Sequence, residues 1–241
     1  MHCKRYEGKI IAKNYNTFRP RYPESLSEAI LQFLDQKLPK SFSRKLALDV
    51  GCGSGQSTEC IAPFFENVIG VDISKDQISE GRKNNQFENV EYLVGSFDRL
   101  PAKDNSVSLV ICGTAAHWFN PIDEFYKEAK RVLIPGGCIA IFGYSNSFIS
   151  GLPTSLNNTL NVFFQTIFSK ITTEIPKGME NLLNEYQDFD IPFEDVIRSN
   201  TLSMSKKSTF NSYVGFYKSV SLYRSYKEKN NKDPFEENTK E

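Results

Sequence analysis

The chain has 241 residues, 39% hydrophobic and 24% charged, enough to build one large α/β domain around a core. Its 29 basic and 29 acidic side chains cancel, so composition offers no basic face for a nucleic acid. Five scattered cysteines without a CxxC pair, and two histidines, argue against disulfides and a zinc site and for buried thiols in a reducing compartment. The N-terminal residues Lys4, Arg5, Glu7 and Lys9 frame no apolar signal core, and no stretch approaches the ~18 apolar residues of a membrane span. The expected setting is therefore the cytoplasm, with no membrane, nucleic acid or metal partner.

Residues 1–23 are polar and aromatic, punctuated by Pro20 and Pro23, and read as a solvated arm. Glu24–Leu38 places Leu26, Ala29, Ile30, Phe33, Leu34 and Leu38 at helical spacing, with Pro39 beyond its end. A regular alternation follows. Strands are expected at Leu46–Val50, Val68–Asp72, Val90–Val94, Val107–Cys112 and Cys138–Tyr144. Helices are expected at Ser57–Phe65, Ser74–Asn84 with Ser74 as N-cap, and Pro121–Leu133. Near-continuously apolar strands between helices imply βαβ units and a doubly wound, mostly parallel sheet covered on both faces.

After Tyr144 the rhythm fades. Leu156–Phe168, Lys177–Tyr186 and Phe210–Tyr226 read as helices, Phe193–Met204 as a weaker strand, and the last dozen residues as a disordered polar tail. Residues 1–241 are expected to form one domain. Within it, 1–40 is a cover and helix, 44–145 a cofactor-binding core, 146–228 a substrate cover and sheet completion, and 229–241 the tail.

The most informative stretch is Asp49-Val50-Gly51-Cys52-Gly53-Ser54-Gly55, directly after a strand and directly before a helix. Glycines there admit positive φ and let a ligand approach without a Cβ in the way. A dinucleotide fold spaces its glycines GxGxxG to seat a pyrophosphate on a helix N-terminus. Here the spacing is GxGxG behind an acid, Asp49, which suits the ammonium and sulfonium of S-adenosylmethionine better than a phosphate. The loop residues Gly51, Cys52, Gly53, Gly55 and Gln56 are candidate cofactor contacts. Asp72 ends the second strand, placed to accept ribose hydroxyls, and Ile73 beside it can lie against adenine.

Asp49–Gly55, Val71-Asp72, Val107–Cys112 and Leu133–Ile141 resemble the successive motifs of class I S-adenosylmethionine-dependent methyltransferases. Asn14-Tyr15, Arg19-Pro20-Arg21-Tyr22-Pro23 and Ala116-His117-Trp118-Phe119 are similar to the branch that includes trans-aconitate methyltransferases, of the methyltransferase type 11 kind. The resemblance covers about residues 10–145 and extends weakly to about 230. It implies that Ser96 and Phe97 wrap the adenine, although Phe97 departs from the family's usual alanine. It also implies that the arm folds over the cofactor, with Tyr15 or Tyr22 closing a lid and Arg19 or Arg21 available to a carboxylate.

The ends of strands at a switch in strand order bind ligands in open α/β sheets, which places Cys112 and Thr114 beneath the cofactor. His117 is a candidate general base, an electrostatic partner for an anionic acceptor, or a helix cap; Trp118 is a candidate pocket wall. The reading is methyl transfer to a small molecule, and the resemblance implies a carboxylate as the acceptor. The rivals are a non-catalytic S-adenosylmethionine-binding scaffold and a nicotinamide-dependent oxidoreductase, which the glycine spacing disfavours. Complete members of the resembled family end with a seventh, antiparallel strand. Lys227–Glu241 has only Phe235 as a large apolar residue and cannot supply it, so the sheet is expected to lack that strand. The fifth strand would then be a bare edge or pair with 195–204, favouring self-association.

Overall fold

Five short apolar segments pair into one sheet in the computed structural model, which describes residues 6–38, 44–144, 147–173 and 175–237. In chain order the elements begin α1 (Lys9–Phe18), α2 (Glu24–Lys37), β1 (Leu46–Val50), α3 (Gln56–Ile61), β2 (Asn67–Asp72) and α4 (Lys75–Asn84). They continue β3 (Val90–Val94), β4 (Val107–Gly113), α5 (Ile122–Val132), β5 (Leu133–Phe142), α6 (Thr154–Ile171) and α7 (Met179–Leu183), and end α8 (Phe210–Ser219), α9 (Ser221–Asn230) and α10 (Pro234–Glu237).

The strand order is β3-β2-β1-β4-β5, and every pairing is parallel. The chain steps outward from β1 to β3, then returns to lay β4 on the other side of β1, with Leu48 opposite Val110. The β1/β4 seam is thus the switch point, where loops diverge and leave a crevice at the carboxyl edge. The period of two divides the strands between two cores. Leu48, Val50, Val110 and Cys112 face α5 and the C-terminal helices, while Ala47, Leu109 and Ile111 face α2 and α3.

Ser74 caps α4 as expected, its hydroxyl accepting from the Gln77 amide. The solvated arm, by contrast, is the helix α1. Ile11, Ala12, Tyr15 and Phe18 share one face of it, and Phe18 packs against Gly215 of α8, a position where any Cβ would collide with the ring. Its isolated charges mask that face in the linear sequence.

No residue of Phe193–Met204 joins the sheet, which among the described residues holds only five strands and no antiparallel member. The expected completion by 146–228 is corrected accordingly. Polar residues such as Glu194, Asp195, Ser199 and Asn200 break the apolar run there, and the stretch is tied down by side chains instead. Arg198 donates to the carbonyls of Tyr186 and Phe189, both at 2.8 Å. Phe210–Tyr226 is two helices, broken at an extended Val220. The polar tail is folded as far as α10: Phe235 is buried, and buried Asp233 accepts from the Tyr223 hydroxyl at 2.6 Å and from the Phe235 amide at 3.0 Å. His2, Cys3, Pro39 and tail residues 238–241 lie outside the described residues.

Candidate active site

β1 runs into the glycine turn with Gly51, Gly53 and Gly55 at φ +76°, +54° and +102°. Asp49 shares the side of β1 that faces α3, so it lies beneath the loop and not in the crevice. Its Oδ2 accepts from the hydroxyls of Ser57 (2.7 Å) and Thr58 (2.6 Å), while Oδ1 is buried without a partner. Burial raises its pKa to about 6, against the pull of those two hydrogen bonds.

Above the carboxyl edge lies a concave cleft, open to solvent, at the position where open α/β sheets bind ligands. Gly51, Gly53, Asp72 and Ile73 form its floor, with Gly95 and Phe97 at one side and Thr114 and Trp118 at the other. The Asp72 carboxylate accepts from the backbone amides of Gly53 (3.0 Å) and Ser74 (2.8 Å), which locks the glycine loop to the start of α4 and leaves each oxygen a further lone pair. Burial raises its pKa, opposed by those amides. Phe97 stacks on Phe119 at 4.5 Å, so the departure from alanine is filled by an aromatic pair.

The N-terminal segment closes over this floor. Tyr6 lends its carbonyl to the Ser74 hydroxyl and the Gln77 amide (3.4 Å each), and both Tyr6 and Tyr15 line the cleft. Tyr6 was not among the sequence candidates; nothing marks it until its segment docks on α4.

Several other candidates sit behind the cleft wall. Cys52, Gly55, Gln56 and Cys112 support the loops from within, and Ser96 bridges to Arg99. Arg21 is half exposed and pairs with Glu59 at 2.6 Å. Tyr22 packs edge-on against Phe142 and shares a 2.8 Å hydrogen bond with Thr114, so it braces the lining.

His117 is 5% exposed and lies behind Trp118, its Nδ1 3.1 Å from the Tyr186 hydroxyl. Burial, aided by the Arg19 charge, lowers its pKa to about 3. The folded imidazole is thus neutral where an unfolded one, titrating near 6.5, binds a proton. Its contribution to stability is full above pH ~6.5 and is lost as pH falls toward ~3. Asp49 works in the opposite sense: the folded acid holds the extra proton between its ordinary 3.8 and about 6, so its contribution is lost as pH rises through that window. A His117→Phe protein should therefore lose about 2 kcal/mol less stability than wild type between pH 7 and pH 5, read by urea unfolding. Equal losses in the two proteins would refute a neutral histidine.

The methyltransferase domain family matches residues 48–141, the stretch that carries the glycine turn, Asp72 and the cleft's far wall. A Dictyostelium discoideum protein with a provisional methyltransferase designation is 34% identical over 228 residues, 92% of this chain and 80% of its own length. The chain belongs to the S-adenosylmethionine-dependent methyltransferases. A Saccharomyces cerevisiae relative, provisionally designated an S-adenosylmethionine-dependent methyltransferase, is 30% identical over 60% of the chain; the chain spans about half of it, 49%. The solved structure of a provisionally assigned type II methyltransferase from Anaeromyxobacter dehalogenans is similar across 91% of this chain and 86% of its own, with TM-score 0.69 and 25% identity.

S-adenosylmethionine is the cofactor of this family, and the methyltransferase has a cradle for it. Gly53 turns its bare Cα toward the cleft, where an added Cβ would come within 3.6 Å of the Tyr15 ring, and Asp72 keeps acceptor capacity beside it. The nicotinamide alternative is displaced. Among the methyltransferase's described residues no helix is long and apolar enough to cross a membrane, and no cluster of three metal-binding side chains occurs.

Proposed function

We propose that this methyltransferase acts in the cytoplasm on a small-molecule acceptor whose nucleophile is a carboxylate, without a nucleic-acid or membrane partner. The observation that carries the reading is the lack of a usable base among the described residues at the cleft. His117 stands behind Trp118 with a pKa of about 3, too weak a base to hold an acceptor's proton. Asp72 is engaged by two backbone amides, and burial pushes the Tyr15 hydroxyl far above its ordinary value. An amine or alcohol acceptor must shed a proton, whereas a carboxylate enters already ionised.

When bound, S-adenosylmethionine supplies an electrophilic methyl group on a cationic sulfonium. Asp72 and Ile73 hold the nucleoside end, Gly95 and Phe97 flank the base, and the backbone at Gly51 and Gly53 meets the amino-acid end. Thr114, braced by Tyr22, and Trp118 shape the acceptor side. The protein's contribution is alignment and exclusion of water by the Tyr6–Tyr15 cover, the effects that bring two reactants into near-attack geometry. His117, buried and neutral, packs against Trp118 and backs that wall from behind.

Incubation with methyl-labelled S-adenosylmethionine and a panel of small acids, each matched with its amide, alcohol and amine, tests this. Label is expected in products that release methanol in alkali, as methyl esters do. Label confined to amines, alcohols, protein or RNA would sink the carboxylate reading.

A further inference from the structure

Gln77, in the first turn of α4, is 1% exposed and lines the cleft, yet only half of its amide is used. Nε2 donates to the Tyr6 carbonyl at 3.4 Å, while Oε1 is buried with no partner among the described residues. The arm fixes this orientation: with its ends exchanged, the amide would turn oxygen against a carbonyl. Oε1 lies beside Gly53, 3.8 Å from the place where a Cβ on that glycine would stand, and the Tyr15 ring is 3.6 Å from the same point.

A buried acceptor without a donor is costly, and a position needed only to pack α4 is better filled by leucine or methionine. Holding the Tyr6 carbonyl does not account for the oxygen. That carbonyl has a second donor in the Ser74 hydroxyl, and the Gly8 amide ties the arm to Asp76 at 2.9 Å. The surroundings of Oε1 indicate its partner. Asp72 holds the Gly53 amide, so both polar side chains flanking this glycine in the cleft, Asp72 and Gln77, present acceptors. A ligand seated there must meet them with donors. S-adenosylmethionine has them at both ends, on the nucleoside and as the ammonium of its amino acid.

We propose that Gln77 couples the cofactor to the cover. Its Oε1 takes a hydrogen bond from a donor of the bound cofactor, and the same amide then holds the Tyr6 carbonyl, and with it the cover, more firmly. Hydrogen bonds in series through one amide strengthen each other. The inference rests on the cleft being the cofactor site. Loss of either link weakens the other, which a residue serving only to pack α4 would not do. S-adenosylhomocysteine and 5′-methylthioadenosine, which lacks the amino-acid end, are titrated by calorimetry into wild type, Gln77→Met, Tyr6→Ala and the double variant. Hydrogen exchange of the α1 amides is followed by mass spectrometry with and without saturating S-adenosylhomocysteine, and each protein is melted.

Gln77→Met replaces an orphaned amide by an apolar chain of like shape. It is expected to melt no lower than wild type and to bind S-adenosylhomocysteine about tenfold more weakly. Tyr6→Ala is expected to weaken binding about tenfold alone but less than about threefold on top of Gln77→Met. S-adenosylhomocysteine should slow α1 exchange in wild type and not in Gln77→Met. A Gln77→Met loss shared by methylthioadenosine places the donor on the nucleoside; a loss confined to S-adenosylhomocysteine places it on the ammonium. Wild-type affinity for both ligands in Gln77→Met, or additive losses in the double variant, overturns the proposal. It also fails without any variant if α1 exchange in wild type ignores the ligand. Wild type that binds neither nucleoside would instead overturn the assignment of the cleft.

Discussion

Replacing Gly55 with valine is expected to abolish the native fold. Its φ of +102° is one that L side chains rarely adopt, and a Cβ there would be driven into the Tyr92 hydroxyl. Tyr92 cannot retreat: it is 2% exposed, and its ring is boxed by Gly70 and Gly81, where added Cβ atoms would lie 2.8 Å and 3.2 Å from it. Backbone strain and overpacking together cost about 4 kcal/mol or more, much of the margin of an ordinary domain. Circular dichroism on heating should show no cooperative transition near that of wild type. A melting temperature within a few degrees of wild type would contradict the packing described for the Gly55–Tyr92 contact.

Gly53→Val should separate binding from folding. The nearest protein atoms to a Cβ at Gly53 are the Tyr15 ring at 3.6 Å and the Gln77 side-chain oxygen at 3.8 Å, so the protein alone has room for it. The left-handed φ of +54° costs about 2 kcal/mol, which a folded domain can absorb. The side chain then projects into the cleft, and S-adenosylmethionine affinity is expected to fall by more than about 100-fold. Asp72→Ala in the same titration should cost about 2 kcal/mol, the value of charge-assisted hydrogen bonds. Calorimetric affinities within threefold of wild type for Gly53→Val would remove the glycine loop from the cofactor site.

The alternation of strands and helices between Leu46 and Phe142 was legible because it is local. Apolar runs of strand length, a serine cap at Ser74 and glycines at φ-demanding positions each act within a few residues. Their order also points to a ligand at the end of β1, and Gly53, Asp72, Ile73, Phe97, Thr114 and Trp118 do converge on one cleft. The segment 193–204 shows the limit of the same reasoning: a strand needs a neighbour's ladder, and this stretch is held instead by the Arg198 side chain, which donates to the carbonyls of Tyr186 and Phe189.

Side-chain direction was settled by the tertiary structure. Asp49 and the cleft belong to the same turn, but the strand's period of two sends its carboxylate under α3, to Ser57 and Thr58. His117 looked free to act until α7 and the turn after it brought Tyr186 to within 3.1 Å and buried it. Arg19 and Arg21 are equivalent in the linear chain, two cations in a polar arm. Docking of α1 against α8 buries Arg19 among three rings, while Arg21 stays at the surface with Glu59. Local pattern specifies which elements form and where a loop can bend. Which charges lose their water depends on contacts between residues as much as 200 positions apart, as between Arg19 and Ser219, and only the packed chain brings those together.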